Sequence, residues 1–104
     1  MKKIGIYPGT FDPITLGHLD IIKRASQIVD TLYVSIAVSK NKKTLFSAQE
    51  RVEIVKKSLG GSFKNVKIIS FNTLTVALCK KIKASLIFRG LRVVTDFEYE
   101  FQLA

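Results

Sequence analysis

One cysteine is all that the sequence holds, so Cys79 has no partner within the chain for a disulfide. Such sparse cysteine usage fits a reducing, cytoplasmic setting. No apolar run approaches the roughly 20 residues that a membrane-spanning helix needs. The charged start, Met1-Lys2-Lys3, is followed only by Ile4 to Tyr7 before Pro8, too short for the apolar centre of a signal peptide. Acidic residues are scarce, 8 against 17 lysines and arginines, which leaves a net charge of +9. Internal repeats, low-complexity tracts and a basic tail are all missing. The excess charge is spread over both halves, and no nucleic-acid-binding motif accompanies it. These absences argue against a disulfide scaffold, a membrane protein and a nucleic-acid binder.

What is present suits one globular domain spanning residues 1–104. Hydrophobic residues make up 47% of the chain, enough to bury a core. Excess positive charge attracts phosphates, whatever carries them.

The chain alternates strand and helix signals. Lys2 to Tyr7 reads as a strand that runs into Pro8-Gly9-Thr10-Phe11-Asp12-Pro13, a loop holding both prolines. Gly17 to Val29 has helical spacing, with Leu19, Ile22, Ala25 and Val29 on one face and Thr15 as a candidate cap. Leu32 to Val38 is a second strand, and Ser39 to Lys43 a basic loop. Ser47-Ala48-Gln49-Glu50 matches a capping box, opening a helix that Gly60-Gly61 stops. Val66 to Phe71 is a third strand. Thr73 to Ile82 is a helix with Leu74, Ala77 and Leu78 inward, and Cys79 reads as a small core residue. Ser85 to Phe88 is a fourth strand, and Thr95 to Ala104 looks helical.

This order predicts an α/β fold, a Rossmann-like, doubly wound parallel sheet covered on both faces. Ligands then bind outside the carboxyl ends of the strands, near the switch in strand order. The segments after strands one, two and four are expected to meet there. If the sheet stops at strand four, that strand lies at an open edge.

Four groups carry chemistry of interest. Gly9 to Pro13 with Thr15-Leu16-Gly17-His18 leads into a helix start, whose free N–H groups and positive dipole end suit phosphate. There His18 can donate to a phosphate oxygen, Thr10 can add donors, and Gly17 allows close approach. The plainer alternative is a proline turn, a capping threonine and a surface histidine. Lys40, Lys42 and Lys43 can clamp phosphates as point charges, or simply be solvated. Arg89-Gly90-Leu91-Arg92 follows a buried strand and offers bidentate phosphate contacts, or an arginine pair on a turn. Asp96, Glu98 and Glu100 lie close together, Asp96 and Glu100 on one helical face; helix-start acids also complement the dipole.

Tyr7-Pro8-Gly9-Thr10-Phe11-Asp12-Pro13-Ile14-Thr15-Leu16-Gly17-His18 resembles the N-terminal signature of the nucleotidyltransferase superfamily, its Thr-x-Gly-His matching the His-x-Gly-His motif found there. Arg89 to Arg92, Asp96-Phe97-Glu98-Tyr99-Glu100 and the stretch Lys42-Lys43 with Glu50-Arg51 beyond it are similar to the bacterial phosphopantetheine adenylyltransferases. The resemblance covers essentially the whole chain. It implies transfer of AMP from ATP to 4'-phosphopantetheine, with Mg²⁺ riding on ATP and no metal site of the protein's own. It implies catalytic roles for His18 and Lys42. Thr10, Lys42, Thr75 and Arg89 would bind the acceptor. Thr10, Phe11, His18, Gly90, Leu91, Arg92 and Glu100 would bind ATP. It also implies a homo-oligomer, a hexamer in the family.

The family continues well past the segment matching Phe97 to Ala104, so the fold is expected to be C-terminally incomplete here. Two alternatives stay open. The chain is an inactive fragment or nucleotide-binding remnant of such an enzyme, or a nucleotidyltransferase for another acceptor such as nicotinamide mononucleotide.

Overall fold

A computed structural model describes residues 3–39 and 43–89, and the backbone of 92–94. The elements, in chain order, are β1 (Ile4–Gly9), α1 (Leu16–Ile28), β2 (Thr31–Ala37), α2 (Ala48–Leu59), β3 (Val66–Phe71), α3 (Thr75–Ile82), β4 (Leu86–Arg89) and β5 (Arg92–Val94). The sheet order is β3-β2-β1-β4-β5. The first four strands are parallel, as expected, with β1 central: Ile6 sits opposite Tyr33 on one side and Ile87 on the other. The order reverses between β1 and β4, which puts the switch point at the end of β1.

Alternating side chains of β1 feed two cores. Tyr7 joins Ile22, Ala25, Leu32, Val34, Val55 and Phe88 on the face covered by α1 and α2. Ile6 joins Leu78, Cys79, Ala84 and Ile87 on the face covered by α3. The helical face read over α1 is the buried one: Ile22, Ala25 and Val29 are in the core, and Leu19 packs against it. Cys79 is fully buried, as expected of a small core residue.

The caps follow local chemistry. Ser47 Oγ accepts the Glu50 N–H while Glu50 Oε1 accepts the Ser47 N–H, the capping box read from the sequence. Gly60 ends α2 in the left-handed region, at φ 58°, a conformation that glycine adopts without steric cost.

Four expectations need correction. β1 starts at Ile4 and carries Pro8 and Gly9 within the strand, paired to Ser35 and Ile36. Proline is tolerated there because the pairing of β1 to β4 ends at Ile6. α3 starts at Thr75, and Leu74 is its N-cap, with no side-chain cap bond. Leu74 is therefore 78% exposed and Ala77 is exposed too; the inward face is Leu78, Cys79 and half-buried Ile82. Strand four is not an edge, because β5 pairs with it antiparallel. The helix expected over 95–104 lies outside the described residues.

Candidate active site

The carboxyl ends of the four parallel strands place Gly9, Ala37, Phe71 and Arg89 along one rim. A cleft of about 280 Å³ opens there, with Thr10, Thr75 and Arg89 in its walls. Ala37, Phe71 and Thr75 also line a larger groove of about 730 Å³, which extends over Val38, Ser39 and Leu74. The two form one bipartite depression: one lobe over β1 and β4, the other over β2 and β3. Three residues expected in the site, Thr10, Thr75 and Arg89, thus meet across a sequence span of about eighty residues.

His18 is not in the walls of that cleft. It stands at the third position of α1 and completes the helix start from its side chain. The Thr15 N–H donates to His18 Nδ1 at 2.9 Å, and the His18 N–H donates to Thr15 Oγ1 at 3.3 Å. This is a capping box in which histidine replaces the usual Glu or Gln. An imidazole nitrogen that accepts carries no proton, so the geometry assigns the neutral ring's hydrogen to Nε2. Burial holds the His18 pKa below its ordinary value, which favours the same neutral form.

Phe11 is buried, at 2% exposure. Its ring meets Tyr7 edge-on at 5.3 Å and His18 at 4.9 Å. It therefore supports the imidazole, and its side chain does not project into solvent. The backbone of Phe11 lies in the left-handed region, at φ 50°, and the ring lies over Gly9, where a Cβ would come within 3.0 Å of Phe11 Cε2.

Two side chains that sequence reasoning did not single out hold this rim together. Asp12 accepts the Leu45 N–H on Oδ2 and the Phe46 N–H on Oδ1. Arg51, on α2 and only 3% exposed, donates from Nε to the Phe46 carbonyl at 3.2 Å. Its Nη1 donates to the Thr10 and Ala37 carbonyls, each at 2.9 Å. In the sequence Asp12 stands out only as part of the first loop and Arg51 only through a resemblance. Their partners lie up to 41 residues away, and no local spacing points to them.

Lys43 is exposed. Lys40, Lys42, Gly90, Leu91, Asp96, Glu98, Tyr99 and Glu100 lie outside the described residues. Of Arg92 the backbone alone is described, opposite Arg89 at the start of β5.

A cytidylyltransferase-like family model matches residues 6–104. The chain is 50% identical over 108 residues to a phosphopantetheine adenylyltransferase of Pelagibacter ubique, covering 100% of this chain and 66% of that protein. It is 54% identical over 103 residues to the enzyme of that name from a Wolbachia strain of Culex pipiens, covering 99% of this chain and 61% of that protein. The chain thus spans just under two thirds of the length of these relatives. A Vibrio parahaemolyticus protein, solved as a candidate nicotinate-nucleotide adenylyltransferase, superposes with a TM-score of 0.66 at 25% identity. That match covers 80% of this chain and 53% of the other.

Proposed function

The chain belongs to the cytidylyltransferase-like family, and from that premise we propose that the full-length protein is a phosphopantetheine adenylyltransferase. It transfers the adenylyl group of ATP to 4'-phosphopantetheine, yielding dephospho-coenzyme A and pyrophosphate. The observation that carries this reading is the identity of about one half to enzymes of that name along nearly the whole chain. The bipartite depression supports it, since the reaction needs two phosphate-bearing substrates side by side. The solved nicotinate-nucleotide relative supports the fold at half that identity, so a different acceptor is the weaker reading.

In this mechanism a phosphate oxygen of phosphopantetheine attacks the α-phosphorus of ATP. A new P–O bond forms there, the bond from that phosphorus to the α,β-bridging oxygen breaks, and pyrophosphate leaves. No covalent enzyme intermediate is required. The protein contributes placement and neutralisation of developing charge. Thr10 and Lys42 place the attacking phosphate, Arg89 holds it, and Thr75 lies beside the pantetheine arm. His18, donating from Nε2, stabilises the α-phosphate as charge builds. Gly90, Leu91, Arg92 and Glu100 face ATP, and Phe11 serves by supporting His18.

Mg²⁺ would ride on the ATP phosphates and would neutralise their charge. Among the described residues there is no group of three or more His, Cys, Asp or Glu that could hold a metal. Asp12, the carboxylate beside the loop, has both oxygens engaged by backbone N–H groups. The protein works in the cytoplasm as a homohexamer in this reading. Among the described residues, no helix is long and apolar enough to cross a membrane.

Pyrophosphate release from ATP and phosphopantetheine with Mg²⁺ tests the proposal, on this chain and on the chain extended to the natural stop codon. Turnover by the extended chain is expected. Two folded but inactive proteins would refute the assignment and favour a nucleotide-binding remnant.

A further inference from the structure

We propose that Arg51 is a positioning residue for adenylyl transfer, fixing the rim after β1 against the rim after β2 through a fork of three backbone carbonyls. The inference rests on the function proposed above. The guanidinium joins three separate pieces of chain: Thr10 after β1, Ala37 at the end of β2, and Phe46 just before α2. Thr10 and Ala37 both line the cleft. Phe46 ends the segment that leads from the basic loop into α2. Asp12 holds that same segment from the other side through the Leu45 and Phe46 N–H groups. Residue 46 is thus gripped at its carbonyl by Arg51 and at its N–H by Asp12, so the far end of the basic loop is set relative to the first loop.

Arginine suits this work. Its planar fork presents donors at fixed angles to several acceptors at once, which a lysine ammonium on a flexible stem does not reproduce. Among the described residues its hydrogen-bond partners are three carbonyls and no carboxylate. A buried guanidinium used only for stability is ordinarily matched by an acid. Among the described residues no carboxylate bonds this guanidinium, which instead holds the backbone of Thr10 and Ala37 at the cleft. Arg51 rides on α2, whose Val55 and Leu59 are anchored in the main core. The core therefore fixes the fork, and the fork fixes the rim.

The test uses the chain extended to its natural stop codon, with Arg51→Lys, which keeps the charge and loses the fork, and Asp12→Asn, which loosens the same clamp from its exposed side. Folding is first checked by circular dichroism. Both variants are expected to lose about tenfold or more in kcat while KM for each substrate stays within about threefold, as misplacement of reacting groups predicts. If Arg51→Lys does not fold, Asp12→Asn alone decides by the same criterion. A folded variant with kcat within about twofold of the parent overturns the proposal. Amide exchange at Leu45 and Phe46 needs no turnover and separates this inference from the proposed function. If the parent is inactive, the proposed function fails, while faster exchange in the variants still supports the clamp and unchanged protection overturns it.

Discussion

Replacing His18 by asparagine separates two roles of that side chain. Asparagine Oδ1 occupies nearly the position of the imidazole Nδ1, so it can still accept the Thr15 N–H that His18 now accepts at 2.9 Å. The atom removed is Nε2, the proposed donor to the α-phosphate. Alanine at the same position removes both. One hydrogen bond at a helix start contributes about 1 kcal/mol. The edge contact with Phe11 at 4.9 Å adds about 0.5–1.5 kcal/mol, lost in both variants. His18→Ala is therefore expected to be about 1 kcal/mol less stable than His18→Asn, or about 2–4 °C in melting temperature for a chain as long as its relatives. Loss of one preorganised donor costs about 3 kcal/mol, about a hundredfold in rate, and falls on both variants alike. The assay is pyrophosphate release by the chain extended to its stop codon, beside thermal unfolding of each variant. A His18→Asn enzyme within about fivefold of the parent rate would show that Nε2 contributes little to the transition state and would refute the reasoning. So would rates that track stability, with asparagine rescuing what alanine loses.

The same geometry sets a pH dependence. Burial lowers the His18 pKa in the folded state, so below about pH 6.5 the unfolded chain binds more protons than the native one. Stability is then full above that pH and falls as pH drops through the folded pKa; the parent's urea midpoint should decline towards pH 5 more steeply than that of His18→Asn. His18 is the one histidine in the sequence, so a parallel decline would contradict this sign. Gly5→Ala places a methyl carbon 2.8 Å from Phe88 Cε2 and 3.1 Å from Val29 Cγ1, both in the core. It should cost about 1–3 kcal/mol in denaturant unfolding, partly relieved by Phe88→Leu; a neutral Gly5→Ala would mean the sheet gives way there. Leu74→Asn, at a position 78% exposed, should change stability by less than about 0.5 kcal/mol. A cost above about 1 kcal/mol would restore the inward-facing reading of Leu74.

Legibility followed the range of the interaction. Both bounds of β3, Val66 and Phe71, and both caps of α2 were readable because a β-rich run, a Ser-x-x-Glu box and a glycine stop act within a few residues. The start of α3 was misplaced because Leu74 caps it without a side-chain bond and leaves no signature. Without that cue, the spacing of Leu74 and Leu78 reads as one apolar face. The three residues of β5 form a strand only because Ile87, Phe88 and Arg89 lie opposite, and three residues hold too little pattern to reveal that. The convergence of Thr10 and Arg89 was legible at the level of topology, since strand ends in an alternating α/β fold share a rim, whereas Thr75, which follows β3, came from the resemblance alone. Thr15 was read as a cap, but its reciprocal bond to His18 was not, because histidine is not the usual residue at that place. The Arg51 fork was illegible for the opposite reason to the caps: its bonds join residues 5, 14 and 41 positions apart.

The reciprocal bond constrains the chemistry more than the motif does. A protonated imidazole donates from both nitrogens, so it gives up the Thr15 N–H that Nδ1 accepts in the neutral ring and leaves Nδ1–H only the Thr15 hydroxyl, 3.1 Å away. The reciprocal bond and burial thus favour a neutral ring with its hydrogen on Nε2, next to the positive end of the α1 dipole. A neutral donor gains most when charge develops on its acceptor, whereas a fixed cation also grips the ground-state phosphates. In the proposed reaction the lysines and arginines can therefore do the binding, and the single histidine can be reserved for the step in which the α-phosphate changes. On this division, a lysine at position 18 would bind ATP at least as tightly as histidine does and still turn over poorly.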